Sequence, residues 1–181
     1  IGDREDLTDI IYNISPTDTP FMSSIGKEKA TGVLHEWQTD ALAAAASNNH
    51  HIEGDEISFG AVSPTARINN HTQISRKAVV VSGTQDAVNK AGRNNELAYQ
   101  ISKSSKELKR DMETTLCLNQ TGTAGATGTA RKLSGLASWI QASTSVGTSG
   151  ANGQVSSVDT PGTARTDGTQ RAFTEAQLKN V

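Results

Sequence analysis

Core-forming side chains are scarce in this chain. Leu, Ile, Val and Phe together account for 34 of the 181 residues, just under a fifth, which lies at the edge of the range seen in disordered chains. Disorder also requires a high net charge, and the formal net charge here is only -2. A weak core without strong charge predicts a chain that is extended, or one that completes its burial against neighbouring molecules.

Other features that the sequence lacks exclude whole classes of protein. The single cysteine, Cys117, excludes an internal disulfide framework. The near-neutral charge argues against a dedicated nucleic-acid binder, and no apolar run approaches the roughly 20 residues that span a bilayer. No secretory signal is present, and the first residue is Ile1 rather than Met. We therefore expect the natural protein to start earlier.

The first segment has the pattern of a short amphipathic helix. Within residues 3–14 the apolar positions fall at i, i+3, i+4 and i+7, on one helix face: Leu7, Ile10, Ile11 and Ile14. Pro16 disfavours helical backbone at the preceding residue, so the predicted helix ends near Ile14. Residues 15–20 then form a stiff connector. The apolar face must find a surface, either on its own subunit or on a neighbour.

The next segments predict a long hairpin. Val33, His35 and Trp37 fall on one face and Leu34, Glu36 and Gln38 on the other, which indicates a strand within residues 31–47. A second extended segment is predicted at residues 66–82. The excursion of roughly 30 residues between them is polar and rich in turn formers, and loops of that length are commonly functional.

The clearest helix is predicted at residues 94–118, with Asn94 or Asn95 as its N-cap. Its apolar stripe consists of Leu97, Ile101, Leu108, Met112 and Leu116. The charged residues between them are expected to be solvated or to face a partner. At 1.5 Å per residue this helix would be about 35 Å long.

The last third of the sequence is rich in Ser, Thr and Gly. Residues 121–130 predict a loop, and residues 141–170 predict a surface excursion with little regular structure. A helix is expected to begin after Thr174. Because the sequence stops within that helix, we expect the natural protein to continue beyond Val181.

One cluster of possible metal ligands lies in the polar excursion: His50, His51, Glu53, Asp55 and Glu56. Metal hydrolases need such groups to converge from rigid elements, whereas this stretch is polar and broken by glycine. A solvated or interface-forming loop is the favoured interpretation. The glycine run at residues 122–128 lacks the ending of a phosphate-binding loop. We therefore predict no catalytic, cofactor-binding or metal-binding residues.

The order of these parts resembles the major capsid proteins of tailed bacteriophages. The most specific segment is "REDLTDIIYNISPTDTPFMSSIGK", residues 4–27, in which an acidic helix, a "SPTDTPF" connector and a "GK" exit occur together. Further segments carry the resemblance along the chain: "HEWQTDALA" at 35–43, "EGDE" at 53–56, "ISRKAVVVSGT" at 74–84, "LSGLASWI" at 133–140 and "FTEAQL" at 173–178.

The resemblance implies an α+β fold of the Hong Kong type. The N-terminal arm would be residues 1–31 and the extended β-hairpin loop residues 32–66. The peripheral domain would be residues 67–141, with its long spine helix at about 94–118. Residues 142–181 would be the Ser/Thr/Gly-rich excursion and only the start of an axial domain, most of which should follow Val181.

The resemblance also implies a structural function without catalysis or cofactor. Copies of the protein would form hexamers and pentamers of an icosahedral virion head that is assembled in the bacterial cytoplasm and has no membrane. The shell would enclose double-stranded DNA, touch it non-specifically on its inner face, and work with portal, scaffold or decoration proteins. The inter-subunit contact candidates are Leu7, Ile10, Ile11, Ile14, Phe21, Met22 and Trp37.

Two alternatives remain open at this stage. One is another virion protein, such as a tail or decoration component, which would lack both the spine helix and the extended hairpin. The other is a metal-dependent hydrolase that uses the cluster between His50 and Glu56, and this hypothesis requires a bound metal.

Overall fold

The computed structural model describes residues 10–89, 91–142, 144–155 and 162–179. Within these ranges the chain combines short and long helices with one two-stranded sheet. In chain order the elements are α1 (Pro20–Ser24), β1 (Leu34–Thr39), β2 (Ala66–His71), α2 (Gly83–Ala87), α3 (Glu96–Cys117), α4 (Leu136–Trp139) and α5 (Glu175–Lys179). This mixture of helix and sheet agrees with the predicted α+β class.

The chain divides into two compact units. The first combines the segment up to Lys29 with Gln73–Leu118, and it contains α1, α2 and α3. The second combines Ala30–Thr72 with the chain from Asn119 onward, and it contains the sheet, α4 and α5.

Helix α3 confirms the long helix predicted from the sequence. It has 22 residues, and Asn95 is its N-cap. The Asn95 Oδ1 accepts a hydrogen bond from the backbone N–H of Ala98 at 2.7 Å, which satisfies one of the donors that a helix start leaves unpaired. Of the two predicted caps, Asn95 is therefore the one used.

The predicted helix at residues 3–14 is wrong in its described part. Ile10–Ile14 have no helical structure, and the rest of that segment, including Leu7, lies outside the described residues. The Asn13 Oδ1 accepts the backbone N–H of Ser15 at 3.1 Å, a local bond that competes with helix formation. The helix of this region is instead α1, which starts at Pro20, a residue well suited to a first helical position.

The second predicted strand is correct only over β2. The N–H of Thr72 still donates to the carbonyl oxygen of Val33 at 2.9 Å, but residues 73–82 are not in a strand, and α2 follows them. Ser82 caps α2, because its Oγ accepts the backbone N–H of Gln85 at 3.2 Å. In the described part of the chain β1 and β2 pair only with each other, and the apolar run before α2 joins neither strand.

The antiparallel pair β1–β2 is the base of the predicted hairpin. Its register places Trp37 opposite Ile68 and His35 opposite Asn70. Trp37 stacks on Trp139 of α4, with ring centroids 5.2 Å apart. The Asn70 Oδ1 accepts both the N–H and the hydroxyl of Ser134, at 2.9 and 3.0 Å, so this face of the sheet is packed against the segment that carries α4.

The Ser/Thr/Gly-rich region has little regular structure, as predicted. Residues 144–155 and 162–169 approach each other antiparallel through isolated bridges, Ala151 with Thr166 and Gln154 with Thr163. Helix α5 begins after Thr174, also as predicted. The Oε1 of Gln177 accepts the backbone N–H of Thr174 at 3.0 Å, which is half of a capping box.

The described residues contain no buried apolar side chain. The side chains that are buried there are polar or charged: Asn69, Glu96, Ser134 and Ser138. Each unit is therefore held by hydrogen bonds and half-buried contacts rather than by a continuous hydrophobic core. Within the same residues, no helix combines the length and apolar character needed to cross a membrane.

Candidate assembly surfaces

The described part of the N-terminal arm exposes its isoleucines. Ile10 is 59% and Ile14 is 95% exposed, and Ile11 is also exposed. A groove of about 390 Å³ is bordered on one side by Ile11, Tyr12, Ile14 and Thr17, and its opposite wall belongs to α3. That wall is formed by Tyr99, Ser102, Lys103, Lys106, Glu107 and Arg110. The arm therefore lies beside the polar face of α3 and keeps apolar surface available to a partner.

Phe21 and Met22, two of the predicted contact residues, are held to their own subunit through the backbone. Both lie in α1 and are half-buried. The N–H of Phe21 donates to Oε1 of Glu113 at 2.7 Å, and the N–H of Met22 donates to Oε2 at 2.8 Å. From the sequence Glu113 was expected to be solvated or to face a partner; this contact could not be predicted, because nothing local connects positions about ninety residues apart.

The excursion between β1 and β2 exposes several large apolar side chains. Leu42 is 99%, Phe59 is 96% and Val62 is 94% exposed, and Ile52 and Ile57 are exposed as well. Gly54, with a φ of 86°, allows the turn at the middle of the excursion. Apolar groups of this size are unfavourable in water, so the excursion is a second surface suited to contact with another molecule.

Trp37, the remaining predicted contact residue, is half-buried within its own unit. It stacks on Trp139 and lies 5.6 Å from the ring of His35, measured between centroids. The side chain therefore helps to hold the base of the hairpin on α4.

A third apolar surface lies along α3 in the first unit. Leu97 and Ile101 are exposed, although they belong to the apolar stripe of the helix. They line a groove of about 320 Å³ together with Lys77, Val79, Ser104, Ser105 and Leu108. The ammonium group of Lys77 contacts the Asp111 carboxylate at 2.8 Å and fastens the segment before α2 to the helix.

Comparison with known proteins decides the family. The family model for the SU10 major capsid protein matches residues 1–181. The chain belongs to this family. It is also similar to the major capsid protein of Escherichia phage Phieco32, with 43% identity over 122 residues. The alignment covers 67% of this chain but only 35% of that relative. The resemblance to phage major capsid proteins is thus confirmed.

The cluster between His50 and Glu56 is not assembled as a metal site. The Nε2 of His51 lies 3.2 Å from the amide oxygen of Asn49, and both residues are exposed. In the described ranges no three His, Cys, Asp or Glu side chains are grouped so that they could hold a metal ion. The family and the relative are both named for a capsid protein.

Proposed function

We propose that the full-length protein is a structural subunit that assembles with copies of itself into the head shell of a tailed phage. Membership of a major capsid protein family and the similarity to a phage major capsid protein support this function. The protein would then reside in the virion, in its capsid. Catalysis has no part in the proposal.

The observation that carries the proposal is the distribution of apolar surface. The described residues contain no buried apolar side chain, while Ile14, Leu42, Phe59 and Val62 are almost fully exposed. A contact that buries a few hundred Å² of apolar surface contributes several kcal/mol at about 25 cal/mol per Å², before the cost of ordering is subtracted. Such contacts, repeated around a closed shell, suffice to hold it together.

The proposed fold is of the Hong Kong type, with the arm at 1–31, the extended loop at 32–66 and the peripheral domain at 67–141. Residues 142–181 would begin the axial domain. Three features favour this assignment: α3 has the length of a spine helix, β1 and β2 form the base of a hairpin, and the excursion between them is exposed.

The proposed partners are other copies of the chain in hexamers and pentamers. Leu7, Ile10, Ile11, Ile14, Phe21 and Met22 would provide the inter-subunit contacts of the arm, and Trp37 would provide one at the base of the loop. Packaged double-stranded DNA would touch the inner face non-specifically, because a chain with a net charge of -2 lacks the basic excess of a dedicated nucleic-acid binder. Portal, scaffold or decoration proteins complete the proposed set.

Electron microscopy of the full-length protein, expressed alone and with the other head proteins of its phage, tests the proposal. We expect closed shells of uniform diameter in at least the second preparation. Particles that contain this protein only in tails or as sparse projections on a shell would overturn the proposal in favour of a tail or decoration protein.

A further inference from the structure

Helix α1 receives its N-terminal cap from a distant residue. Its N-cap residue, Thr19, makes no side-chain capping bond. The two donors at the start of the helix, the N–H groups of Phe21 and Met22, instead point to the two carboxylate oxygens of Glu113 at 2.7 and 2.8 Å. Each oxygen of one side chain thus accepts one backbone N–H of α1.

The chemistry of this contact makes it strong for its size. The bonds are charge-assisted, which shortens and strengthens them relative to bonds between neutral groups. A negative charge at a helix N-terminus is also favourable, because the unpaired N–H groups carry partial positive charge. Glu113 is half-buried, which limits competition from water.

The contact between Glu113 and α1 lies next to the point where the arm leaves α1. Glu113 lies in the last third of α3, whereas α1 directly follows the connector that contains Pro16. Upstream of Thr19 the described arm residues are exposed, and Asn13 makes only a local bond, to Ser15. The Glu113 carboxylate therefore fixes the point from which the arm leaves the helix.

We propose that Glu113 is a positioning residue for shell assembly. By holding α1 on α3 it sets the origin and direction of the arm, and so limits the orientations from which the arm meets a neighbour. Glu113 acts within the subunit in this proposal, since each of its oxygens accepts a backbone N–H of α1. The inference rests on the proposed function, in which the arm contacts another copy in the shell.

The test compares full-length Glu113→Ala with Asp111→Ala. The control removes a carboxylate of the same helix that pairs with Lys77 but caps no backbone. In the free Glu113→Ala subunit we expect the amides of Phe21 and Met22 to exchange with deuterium about tenfold faster or more. The melting temperature should stay near that of the control. Sedimentation should show several-fold fewer complete shells and more irregular particles.

A second substitution separates positioning from simple capping. Thr19→Asp gives α1 a carboxylate cap of its own but no link to α3. If Thr19→Asp added to Glu113→Ala restored both slow exchange and shell yield, Glu113 would act only by stabilising α1, and the proposal would be overturned. We expect partial recovery of exchange protection and no recovery of shell yield.

The shell yields of the parent and of Glu113→Ala distinguish failure of the inference from failure of the proposed function. If the parent protein forms shells and Glu113→Ala forms them equally well, the inference fails while the proposed function stands. If the parent forms no shells under any condition, the proposed function fails first. Should Glu113→Ala not fold, Glu113→Gln keeps the size of the side chain and one acceptor oxygen. This variant should lower shell yield without lowering the melting temperature, and an unchanged yield would again overturn the inference.

Discussion

Single residues in the second unit are constrained by close backbone packing, and Gly153 shows this most sharply. A Cβ atom at this position would lie 2.5 Å from both the Cα and the carbonyl oxygen of Ser138. Ser138 is fully buried in α4, so its backbone cannot move aside without disturbing the stack of Trp37 and Trp139. We expect Gly153→Ala to destabilise the protein by about 1–3 kcal/mol, the usual cost of overpacking, as measured by denaturant unfolding.

Gly60→Ala is the matched control for this substitution. An added Cβ at Gly60 meets nothing within 4 Å, and the residue lies in the exposed excursion. Its unfolding midpoint should stay within error of the parent. Equal midpoints for the two variants would show that the approach of residue 153 to α4 is not maintained in solution.

Lys77 has a pH response that its contact with Asp111 defines. Its hydrogen bond to Asp111 raises the pKa of the ammonium group above the ordinary value of 10.5, against a smaller opposing effect of desolvation. The charges of Asp111 and Glu107 raise the pKa further. Because the pKa is higher in the folded state, the stabilisation is fully present below about pH 10.5. It is lost as the pH rises through the raised value.

NMR titration of the lysine side chains tests this directly. Asp111→Asn should move the pKa of Lys77 down toward the ordinary value, because both the charge and the charge-assisted bond are lost. Asp55→Asn, in the exposed excursion, should leave it unchanged. A Lys77 pKa that does not respond to Asp111→Asn would mean that the ion pair does not persist in solution.

At the level of single elements, α3 depends on its cap. The Oδ1 of Asn95 accepts the N–H of Ala98, and the neighbouring Asn94 precedes the cap. Asn95→Ala should cost about 1 kcal/mol of stability, whereas Asn94→Ala should be close to neutral. Calorimetry of the two variants measures the difference. A larger loss of stability for Asn94→Ala than for Asn95→Ala would mean that Asn94 is the N-cap and that the helix starts one residue earlier.

The elements that could be predicted from the sequence are those with local signals. The start of α3 follows from an asparagine before an apolar stripe, and β1 follows from the alternation around Trp37. Local patterns did not predict the structure correctly where contacts with distant residues determine it. Residues 74–82 have the composition of a strand, but no strand lies beside them in the described chain. Ile10, Ile11 and Ile14 have helical spacing, but a helix of only about three turns is marginally stable by itself.

For the candidate surfaces, too, local features could be predicted from the sequence and contacts between distant residues could not. The exposed excursion was expected, because a long polar segment between two strands is visible in the sequence. The capping of α1 by Glu113 was not expected, because a contact between residues 92 positions apart produces no periodic pattern in the sequence. Trp37 was expected at a contact with another subunit, a role that stays a prediction, and its stacking on Trp139 could not be read from spacing alone.

Core-forming residues are scarce in the whole molecule, and many of the apolar groups in its described part are exposed. Both observations indicate a subunit that buries little apolar surface by itself. Each unit is held together internally by polar contacts, such as that of Asn70 with Ser134 in the second unit and that of Glu113 with α1 in the first. Their apolar surface stays available for association. A subunit built in this way gains stability when neighbours bind, because anything that binds the folded state alone stabilises it.

The arm is expected to drive assembly of the shell rather than folding of the subunit. Ile10 and Ile11 are exposed in the single subunit, so carboxylates at these positions are tolerated there. In a shell contact the same carboxylates would be buried without partners, at a cost of several kcal/mol per site. The full-length double variant Ile10→Asp with Ile11→Asp should therefore form no shells, while its circular dichroism and melting temperature match the parent.

Ile10→Leu with Ile11→Leu is the matched control, because it keeps the apolar surface while changing its shape. This variant should still assemble, more slowly if the contact is tightly packed, and electron microscopy distinguishes the two cases. Loss of the fold in the free aspartate variant would place the arm in the internal packing of the subunit. Normal shells from that variant would show that the arm meets no apolar surface on a neighbour, and the proposed contact would then have to come from the exposed excursion around Leu42 and Phe59.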